Sequence, residues 1–334
     1  MWILKYKYIF FIISGLVALA SLGAIFGFGL NPSVDFSGGS IIEVIYEEER
    51  PSVEAIQESL IDAQIQGAVV QTVDELGVIV KTLELSDERK SVLDEALTVY
   101  GDFAYEEERY RNLGPTVSDE LKNRSIFAIL LVVLAIVGFI AYTFRGVSKP
   151  VSSFKYGLVA IVALVHDILL PTALFALLGS IFIEYQIDVL FITALLAILG
   201  FSVNDTIVVF DRVRENLRNA TEKGKAISGE AFEKIVGTSL EETFRRSLNT
   251  SITTLIPLAF LFFIGGEATR PFSLVLALGV IAGTYSSLFL ASPLLTVIET
   301  YQKPQKDKPE KEKHNTKGLK DYEANIPRVE RNRS

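Results

Sequence analysis

Six long apolar runs dominate the sequence, and each is long enough to cross a bilayer as a helix. They cover roughly residues 8–30, 125–144, 155–178, 187–210, 248–266 and 272–298. A membrane-spanning helix needs about 20 predominantly apolar residues, because the helix rises about 1.5 Å per residue through a hydrocarbon core about 30 Å thick. The pattern therefore predicts an α-helical integral membrane protein with six transmembrane helices.

The first apolar run follows Lys5 and Lys7, as the apolar part of a secretory signal peptide would. It is longer than the usual ~7–15 residues of such a segment, and it lacks a clear small-x-small cleavage site. We therefore interpret the first run as a retained membrane anchor.

A polar stretch, residues 31–122, lies between the first two spans, and we call it the head. Strands are predicted over Ser40–Glu47, Ala68–Val73, Gly77–Leu83 and Phe103–Arg109, and helices over Ser52–Gln66 and Asp87–Tyr100. β-rich runs mark the strands, and apolar residues at helical spacing mark the helices. The order βαββαβ is that of a ferredoxin-like domain. The head is therefore predicted to be a folded α+β domain and not a linker.

Basic residues are unevenly distributed among the short loops, and this asymmetry predicts the orientation. The loop 145–155 carries three basic residues and no acidic one, whereas 179–187 and 267–271 share a single basic residue, Arg270. The first loop and the loop at about 211–246 are therefore predicted to be cytoplasmic, together with both termini. The head, which is strongly acidic, is then extracytoplasmic.

The predicted domain organisation has four parts. They are the cytoplasmic N-terminus with the first span (1–30), the head (31–122), spans two to six (123–300) and a basic tail (301–334). The tail is rich in Lys and Pro and is predicted to be disordered and cytoplasmic. A solvated tail is the main expectation, and contact with anionic lipid or ribosomal RNA is the alternative.

Composition excludes several classes of function. Hydrophobic residues make up 49% of the chain, which is too apolar for an ordinary soluble domain. The absence of cysteine excludes disulfides and thiolate metal sites, and two histidines leave little for a histidine metal centre. No GxxxxGK[ST] motif for ATP occurs. We expect neither an enzyme nor a cofactor or metal.

A carboxylate stands inside the fourth span. The segment 200-GFSVNDTIVVFDRVREN-216 is apolar around Asn204 and Asp205. A charge near the bilayer centre costs about 2.5–3.5 kcal/mol on insertion scales, so it marks a candidate functional site. The fifth span begins with Arg246, Asn249 and Thr250 at helical spacing, and we place Arg246 at a similar depth, where it could pair with Asp205.

Two interpretations of this pair remain open on the residues alone. An aspartate beside a mobile arginine can load a proton in one conformation and release it in another. Alternatively, the pair is a static ion pair that fixes helix packing. His166 and Asp167 in the third span form a weaker candidate, because adjacent helical residues point about 100° apart. Polar packing contacts are their main interpretation, and a proton role is the alternative.

Several motifs together resemble a known family. They are 34-VDFSGGS-40, 114-GPTVSDELKNRSI-126, 166-HD-167, the fourth-span segment and 246-RSLNTSITTL-255. In these motifs the chain resembles the SecF members of the SecD/SecF family of bacterial protein-export membrane proteins, within the RND transporter superfamily. The resemblance covers residues 1 to about 300 and leaves out the tail.

The resemblance implies a motor in the bacterial cytoplasmic (inner) membrane that uses the proton gradient to assist late steps of translocation through the SecY channel. By position, Asp205 would carry the proton and Arg246 would regulate it, with Asn204, Asn249 and Thr250 beside them. The junction between head and membrane would contain Asp35, Phe36, Gly38, Gly39, Gly114 and Pro115. The implied partners are SecD, SecYEG, YajC, unfolded exported polypeptide and membrane lipid, with no nucleic acid expected.

Two other classes of function stay open at this stage. An RND-type exporter of small molecules or lipids would share the fold, although such pumps usually have twelve spans and larger outer domains in one chain. A non-transporting scaffold would use Asp205 and Arg246 for packing alone.

The predicted topology can be tested by cysteine labelling, since the chain has no native cysteine. Ser91→Cys lies in the head and should react with an impermeant thiol reagent added to intact cells. Ser228→Cys lies in the 211–246 loop and should react only after the membrane is opened. The reverse pattern would contradict the predicted orientation.

Overall fold

The computed structural model describes residues 2–73, 75–144, 153–182, 185–223, 227, 229–266 and 269–300. Its helices are α1 (Trp2–Lys5), α2 (Lys7–Phe28), α3 (Val34–Ser37), α4 (Val53–Asp62), α5 (Asp87–Leu97), α6 (Pro115–Thr143), α7 (Ser153–Gly179), α8 (Val189–Glu222), α9 (Gly229–Ile264), α10 (Arg270–Tyr285) and α11 (Ser292–Thr300). A π-helical turn, Ser286–Ala291, joins α10 to α11. The strands are β1 (Gly39–Tyr46), β2 (Val69–Val73), β3 (Gly77–Thr82) and β4 (Tyr105–Leu113). The predicted tail, 301–334, lies outside the described residues.

Six helices in the described part of the chain are long and apolar enough to cross a membrane, as the hydropathy pattern predicts. They are α2, α6, α7, α8, α9 and the continuous run from α10 to α11. In an apolar 18-residue stretch of each helix, the buried share of the residues is 50% in α7, 44% in α8 and 61% in α10–α11. It is 11% in α2, 6% in α6 and 11% in α9. The first three therefore form the interior of the bundle, and the other three form its periphery.

Close packing between α8 and α10 depends on two glycines. A Cβ on Gly279 would lie 2.1 Å from Ile198 Cγ1, and one on Gly283 would lie 3.0 Å from Ser202 Cβ. Small residues let membrane helices approach closely, which is the main source of packing energy where no water is displaced.

Several helices extend beyond the predicted spans. α8 and α9 continue into the segment 211–246, so that much of the predicted loop is helical. Arg212 Nε donates to Glu242 Oε2 at 2.6 Å, and Asn216 Nδ2 donates to the same oxygen at 2.8 Å. Hydropathy does not detect a helix that leaves the membrane, because its polar residues then face water.

The head has a four-stranded antiparallel sheet in the order β2-β3-β1-β4. The helices α4 and α5 follow β1 and β3 along the chain and pack on one face of the sheet. Tyr46 Oη donates to the Leu97 carbonyl at 2.8 Å, and Ser59 Oγ donates to that of Ala96 at 2.7 Å. Ser52 and Ser86 cap the two helices. The observed elements follow the predicted βαββαβ order.

The last strand differs from its prediction. β4 continues to Leu113, four residues beyond the predicted end at Arg109, and pairs with β1 along its length. Gly114 then caps α6, with Pro115 in its first turn. Proline suits this position because its fixed φ is already helical. The head therefore passes into α6 with one intervening residue.

Gly39 is the first residue of β1, and its position has no room for a side chain. Its φ is +140°, and an added Cβ would lie 2.3 Å from the Thr82 carbonyl oxygen and 3.0 Å from Val34 Cγ1. Gly38 precedes it with φ +77°. Positive φ favours glycine, because a Cβ there clashes with the backbone. Both glycines of the motif are thus required by the backbone.

Gly39→Ala should destabilise the pairing of β1 with β3 by at least about 2 kcal/mol, since it adds a backbone clash to the strained φ. Gly101→Ala is the matched control, because Gly101 has φ +90° but nothing within 4 Å of an added Cβ. Hydrogen exchange of the β1 and β3 amides in the detergent-solubilised chain measures both effects. Equal effects of the two substitutions would contradict the steric explanation.

Candidate functional site

Asp205 lies at the midpoint of α8, inside the bundle. Its exposed fraction is 2%, and its Oδ2 has no hydrogen-bond partner among the described residues. A buried polar atom left without a partner costs about 1–3 kcal/mol, and a charged one costs more. The carboxyl group therefore occupies a place where a bound proton or a movement of the helices would lower its free energy.

Arg246 does not pair with Asp205 in this structure. The arginine lies on the exposed side of α9, and none of the described residues forms an ion pair with it. Asn204 and Asn249 are exposed as well, and Thr250 Oγ1 donates to the Arg246 carbonyl at 3.0 Å. The structure thus separates the predicted site residues into a buried carboxylate and an exposed polar surface.

Asp167 is fully buried and well supplied with hydrogen bonds. Its Oδ2 accepts from Ser202 Oγ at 2.5 Å and from Ser286 Oγ at 2.7 Å. Its Oδ1 lies 3.2 Å from Nδ1 of His166, although adjacent helical residues were not expected to meet. This carboxylate joins α7, α8 and the π-helical turn, and the sequence had not indicated that either serine would bind it.

The π-helical turn directs two adjacent serines to two different helices. Ser286 reaches Asp167 on α7, and Ser287 Oγ lies 2.8 Å from Thr206 Oγ1 on α8. π-Helical segments are rare and occur frequently at functional sites. The consecutive serines in 285-YSSLF-289 were the available signal, but serine is common in membrane helices and does not by itself identify a site.

A polar tract continues from this centre towards α9. Ser251 Oγ and Thr284 Oγ1 lie 2.5 Å apart between α9 and α10. Three further buried polar atoms, His166 Nε2, Ser247 Oγ and Tyr156 Oη, have no partner among the described residues. The interior of the bundle therefore contains more polar groups than its internal hydrogen bonds satisfy.

The predicted junction residues come together at the head-side ends of the helices. Gly38 lies against Leu113 and Pro115, directly beside Gly114 at the start of α6. Phe36 is half-buried in the short helix α3, which Ser33 caps. The motif thus joins the first span, the head and the second span.

Asp35 and the preceding segment connect this junction to α8. Asp35 Oδ2 accepts from the Val189 amide at 3.3 Å, in the first turn of α8. Ser33 N donates to the Ile187 carbonyl at 2.9 Å, and Ile187 N donates to that of Asn31 at 2.8 Å. The helix that carries Asp205 is therefore fastened at its head-side end to the strand-like segment that leaves the first span.

Lys81 forms a second link between the head and α8. Its Nζ donates to Gln186 Oε1 at 3.1 Å, in the segment that leads into α8. Burial lowers the pKa of Lys81, and the nearby carboxylates of Asp188 and Asp35 oppose this shift. Asp188 also caps α8 by accepting from the Phe191 amide at 2.7 Å.

Comparison with known families gives two matches. Residues 92–301 match the family described as protein export membrane protein SecD/SecF, C-terminal. Residues 23–47 match the SecD/SecF GG motif, which includes Gly38 and Gly39. The first match covers more than half of the chain.

Similar proteins include the protein translocase subunit SecF of Thermobaculum terrenum, 40% identical over 88% of this chain and 92% of the relative. The subunit SecF of Anaerolinea thermophila is 35% identical over 89% and 94%. The crystal structure of SecDF, a translocon-associated membrane protein from Thermus thermophilus, aligns with a TM-score of 0.75 and 28% identity.

The alignment to SecDF covers 90% of this chain but 38% of that chain. A second SecDF structure, in a super-membrane-facing form, aligns with a TM-score of 0.60. These matches and the six membrane helices place the chain in one family. The chain belongs to the SecF family of protein translocase subunits, which are multi-pass membrane proteins of the Sec pathway and not enzymes.

Proposed function

We propose that the chain acts with SecD as a motor that uses the proton gradient to assist late steps of protein translocation through the SecY channel. The observation that carries this proposal is the buried carboxyl group of Asp205, which lacks a partner for Oδ2 in the described structure. Membership of the SecF family supports the Sec pathway as its place of action.

Protonation supplies enough free energy to move a helix. One charge crossing a potential of 100 mV releases about 2.3 kcal/mol, which shifts a two-state equilibrium roughly fifty-fold. A neutral Asp205 is cheaper to bury than an ionised one, so loading and unloading the proton favours different positions of α8. Asp35 and Gln186 then transmit a movement of α8 to the head.

Asp167 is the weaker proton carrier of the two carboxylates. Its oxygens already accept hydrogen bonds from Ser202 and Ser286 and contact His166. These bonds stabilise the present arrangement of α7, α8 and the π-helical turn. We assign Asp167 and His166 mainly to packing, with proton exchange as a secondary role.

SecD is the partner expected to cover the exposed polar surface of α9. Arg246 and Asn249 belong to a membrane-crossing helix, yet they are exposed in the isolated chain. An arginine facing hydrocarbon is costly, so such residues almost always face protein or a water-filled cavity. This chain aligns with only 38% of the SecDF chain, which supports a separate partner for the remainder. Arg246 would then regulate Asp205 in the assembled complex.

The proposed setting is the bacterial cytoplasmic membrane, with both termini cytoplasmic and the head outside. SecYEG, YajC and the unfolded exported polypeptide are the further proposed partners. We also propose that the head is a ferredoxin-like domain that folds independently. The βαββαβ order, the strand order β2-β3-β1-β4 and the packing of α4 and α5 on one face support this assignment.

The excised fragment 39–113 should be soluble and should unfold in one cooperative transition, because it contains its own apolar core. Circular dichroism during thermal unfolding measures this. A fragment ending at residue 104 is the matched control, since it lacks β4 and leaves one edge of β1 unpaired. A random-coil spectrum for 39–113 would contradict an independent domain.

Asp205→Asn should abolish the stimulation of export by the proton gradient while leaving insertion, abundance and association with SecD intact. Asparagine has nearly the same size but does not take up and release a proton at physiological pH. Asp211→Asn is the matched control, because Asp211 is an exposed carboxylate on the same helix. The measurement is export into membrane vesicles with and without a proton gradient.

A double mutant distinguishes a motor from a static ion pair. Arg246→Met alone should impair export, since it removes the cation proposed to regulate Asp205. Asp205→Asn/Arg246→Met should stay inactive if Asp205 carries the proton. A static ion pair that forms only in the complex with SecD predicts recovery instead, because neither charge is then left unpaired. Full activity of the double mutant would leave Asp205 as a packing residue.

A further inference from the structure

A cleft of about 340 Å³ lies between the head and the membrane helices. Its roof is the face of the sheet that α4 and α5 leave uncovered, including Ile41 and Glu43 of β1. Its floor consists of the head-side ends of α7, α8 and α10. The cleft therefore lies where the head meets the head-side ends of the membrane-crossing helices, and it is separate from Asp205.

Two exposed arginines of β4 line the roof. Arg109 stands opposite Glu43 in the sheet register, and Arg111 stands opposite Ile41. Neither arginine forms an ion pair with a described residue, and cross-strand Glu43 is the acidic neighbour that faces them from β1. Lys81 flanks Ile41 from the other side, but its amine already binds Gln186. Among the described residues, Arg111 therefore has no acidic residue directly opposite it in the sheet and no ion pair.

The placement of these cations is unusual within the head. Residues 31–122 contain 21 acidic residues and seven basic ones, namely Arg50, Lys81, Arg89, Lys90, Arg109, Arg111 and Lys122. Three of the seven line this single cleft. A strongly acidic domain therefore presents positive charge on the face that is directed towards the membrane helices.

The floor of the cleft is apolar. Phe175, Leu190, Phe191 and Phe272 contribute aromatic and aliphatic surface from three different helices. Asp188 is the acidic residue of the floor, and it caps α8 with its side chain. An occupant that satisfies both surfaces has an anionic group for the arginines and an apolar part for the floor.

We propose that this cleft binds an anionic phospholipid from the leaflet on the head side of the membrane. The phosphate group binds Arg109 and Arg111, whose planar guanidinium groups match phosphate oxygens in bidentate geometry. The glycerol and the first acyl carbons contact Phe272 and Leu190. A lipid is favoured over an acidic polypeptide because the floor is formed by membrane helices, at the depth where lipid headgroups lie.

The bound lipid would also act on the junction between head and α8. It would occupy the space between β4 and the start of α8, next to the bond from Lys81 to Gln186. The spacing of the head from the membrane helices would then depend on lipid composition. This role is independent of whether Asp205 carries a proton.

Native mass spectrometry of the detergent-solubilised full chain tests the proposal. Phosphatidylglycerol should bind at least about tenfold more tightly than phosphatidylcholine, and Arg109→Gln/Arg111→Gln should remove this preference. Lys122→Gln/Arg124→Gln is the matched control, since both residues are exposed cations at the start of α6, outside the cleft. It removes the same charge and should keep the preference.

Leu190→Glu is a second variant that leaves both arginines in place. It adds a repelling carboxylate to the floor, in the first turn of α8, where acidic residues are tolerated because of the helix dipole. It should weaken phosphatidylglycerol binding at least about tenfold. Equal binding of the two lipids to the unmodified chain, or an unchanged preference in both cleft variants, would overturn the proposal.

Two further probes identify the source of the anion. If glycerol 3-phosphate bound with the same affinity as phosphatidylglycerol, the cleft would be a site for free phosphate compounds, and the lipid proposal would be overturned. If an acidic unfolded peptide bound the cleft and phosphatidylglycerol did not, the cleft would be a polypeptide site instead. We expect phosphatidylglycerol to bind tightly, and glycerol 3-phosphate and the acidic peptide to bind weakly or not detectably.

Discussion

A polar group inside a membrane bundle has to find a partner within the protein, because the surrounding hydrocarbon offers none. This constraint determines the interior of the present structure. One oxygen of Asp167 accepts bonds from Ser202 on α8 and Ser286 on the π-helical turn, so that three helices meet at one carboxylate. The close contact at Gly279 and Gly283 holds α8 and α10 near enough for those short side chains to reach it.

The same constraint distinguishes the two buried aspartates. Asp167 has its hydrogen bonds, and moving α8 or the π-helical turn would break them. Asp205 lies one helical turn from Ser202 on α8, and its Oδ2 has no described partner. A satisfied group stabilises the arrangement that satisfies it, whereas an unsatisfied group favours any change that lowers its free energy. The bundle therefore has a hydrogen-bonded polar centre at Asp167 and, one turn along α8 from Ser202, a carboxyl oxygen without a described partner.

Much of this architecture could be predicted from the sequence, because hydropathy and strand-helix alternation are local properties. Asp205 and the two motif glycines were found by rules of this kind, namely the cost of a charge in hydrocarbon and the match to a family motif. Pairing with Arg246 was a different kind of inference, since equal depth does not determine the rotation of a helix about its axis. Successive side chains of a helix point about 100° apart, so the rotation of α9 decides whether Arg246 faces α8 or the surface.

The bonds from Ser202 and Ser286 to Asp167 were not predicted for a related reason. Ser202 and Ser286 are small and common in membrane helices, and their importance depends on a partner far away in the sequence. The π-helical turn that brings Ser286 to Asp167 has no sequence signature comparable to a helix cap. The extensions of α8 and α9 were missed because they depend on contacts between residues distant in the chain. Val213 and Leu217 of α8 share one buried apolar cluster with Phe232 and Val236 of α9.

α8 is the element on which these observations converge. Its 34 residues span about 50 Å, so the helix is longer than the bilayer core is thick. Asp205 is at its midpoint, Asp35 binds its first turn, and Glu242 binds Arg212 near its other end. A continuous helix is stiff along its axis, so an axial displacement at Asp205 would move both ends of α8. One end leads to the cleft beneath the head, and the other leads to the α8–α9 extension, so under the proposed function a single protonation event at Asp205 would act at both ends of one helix.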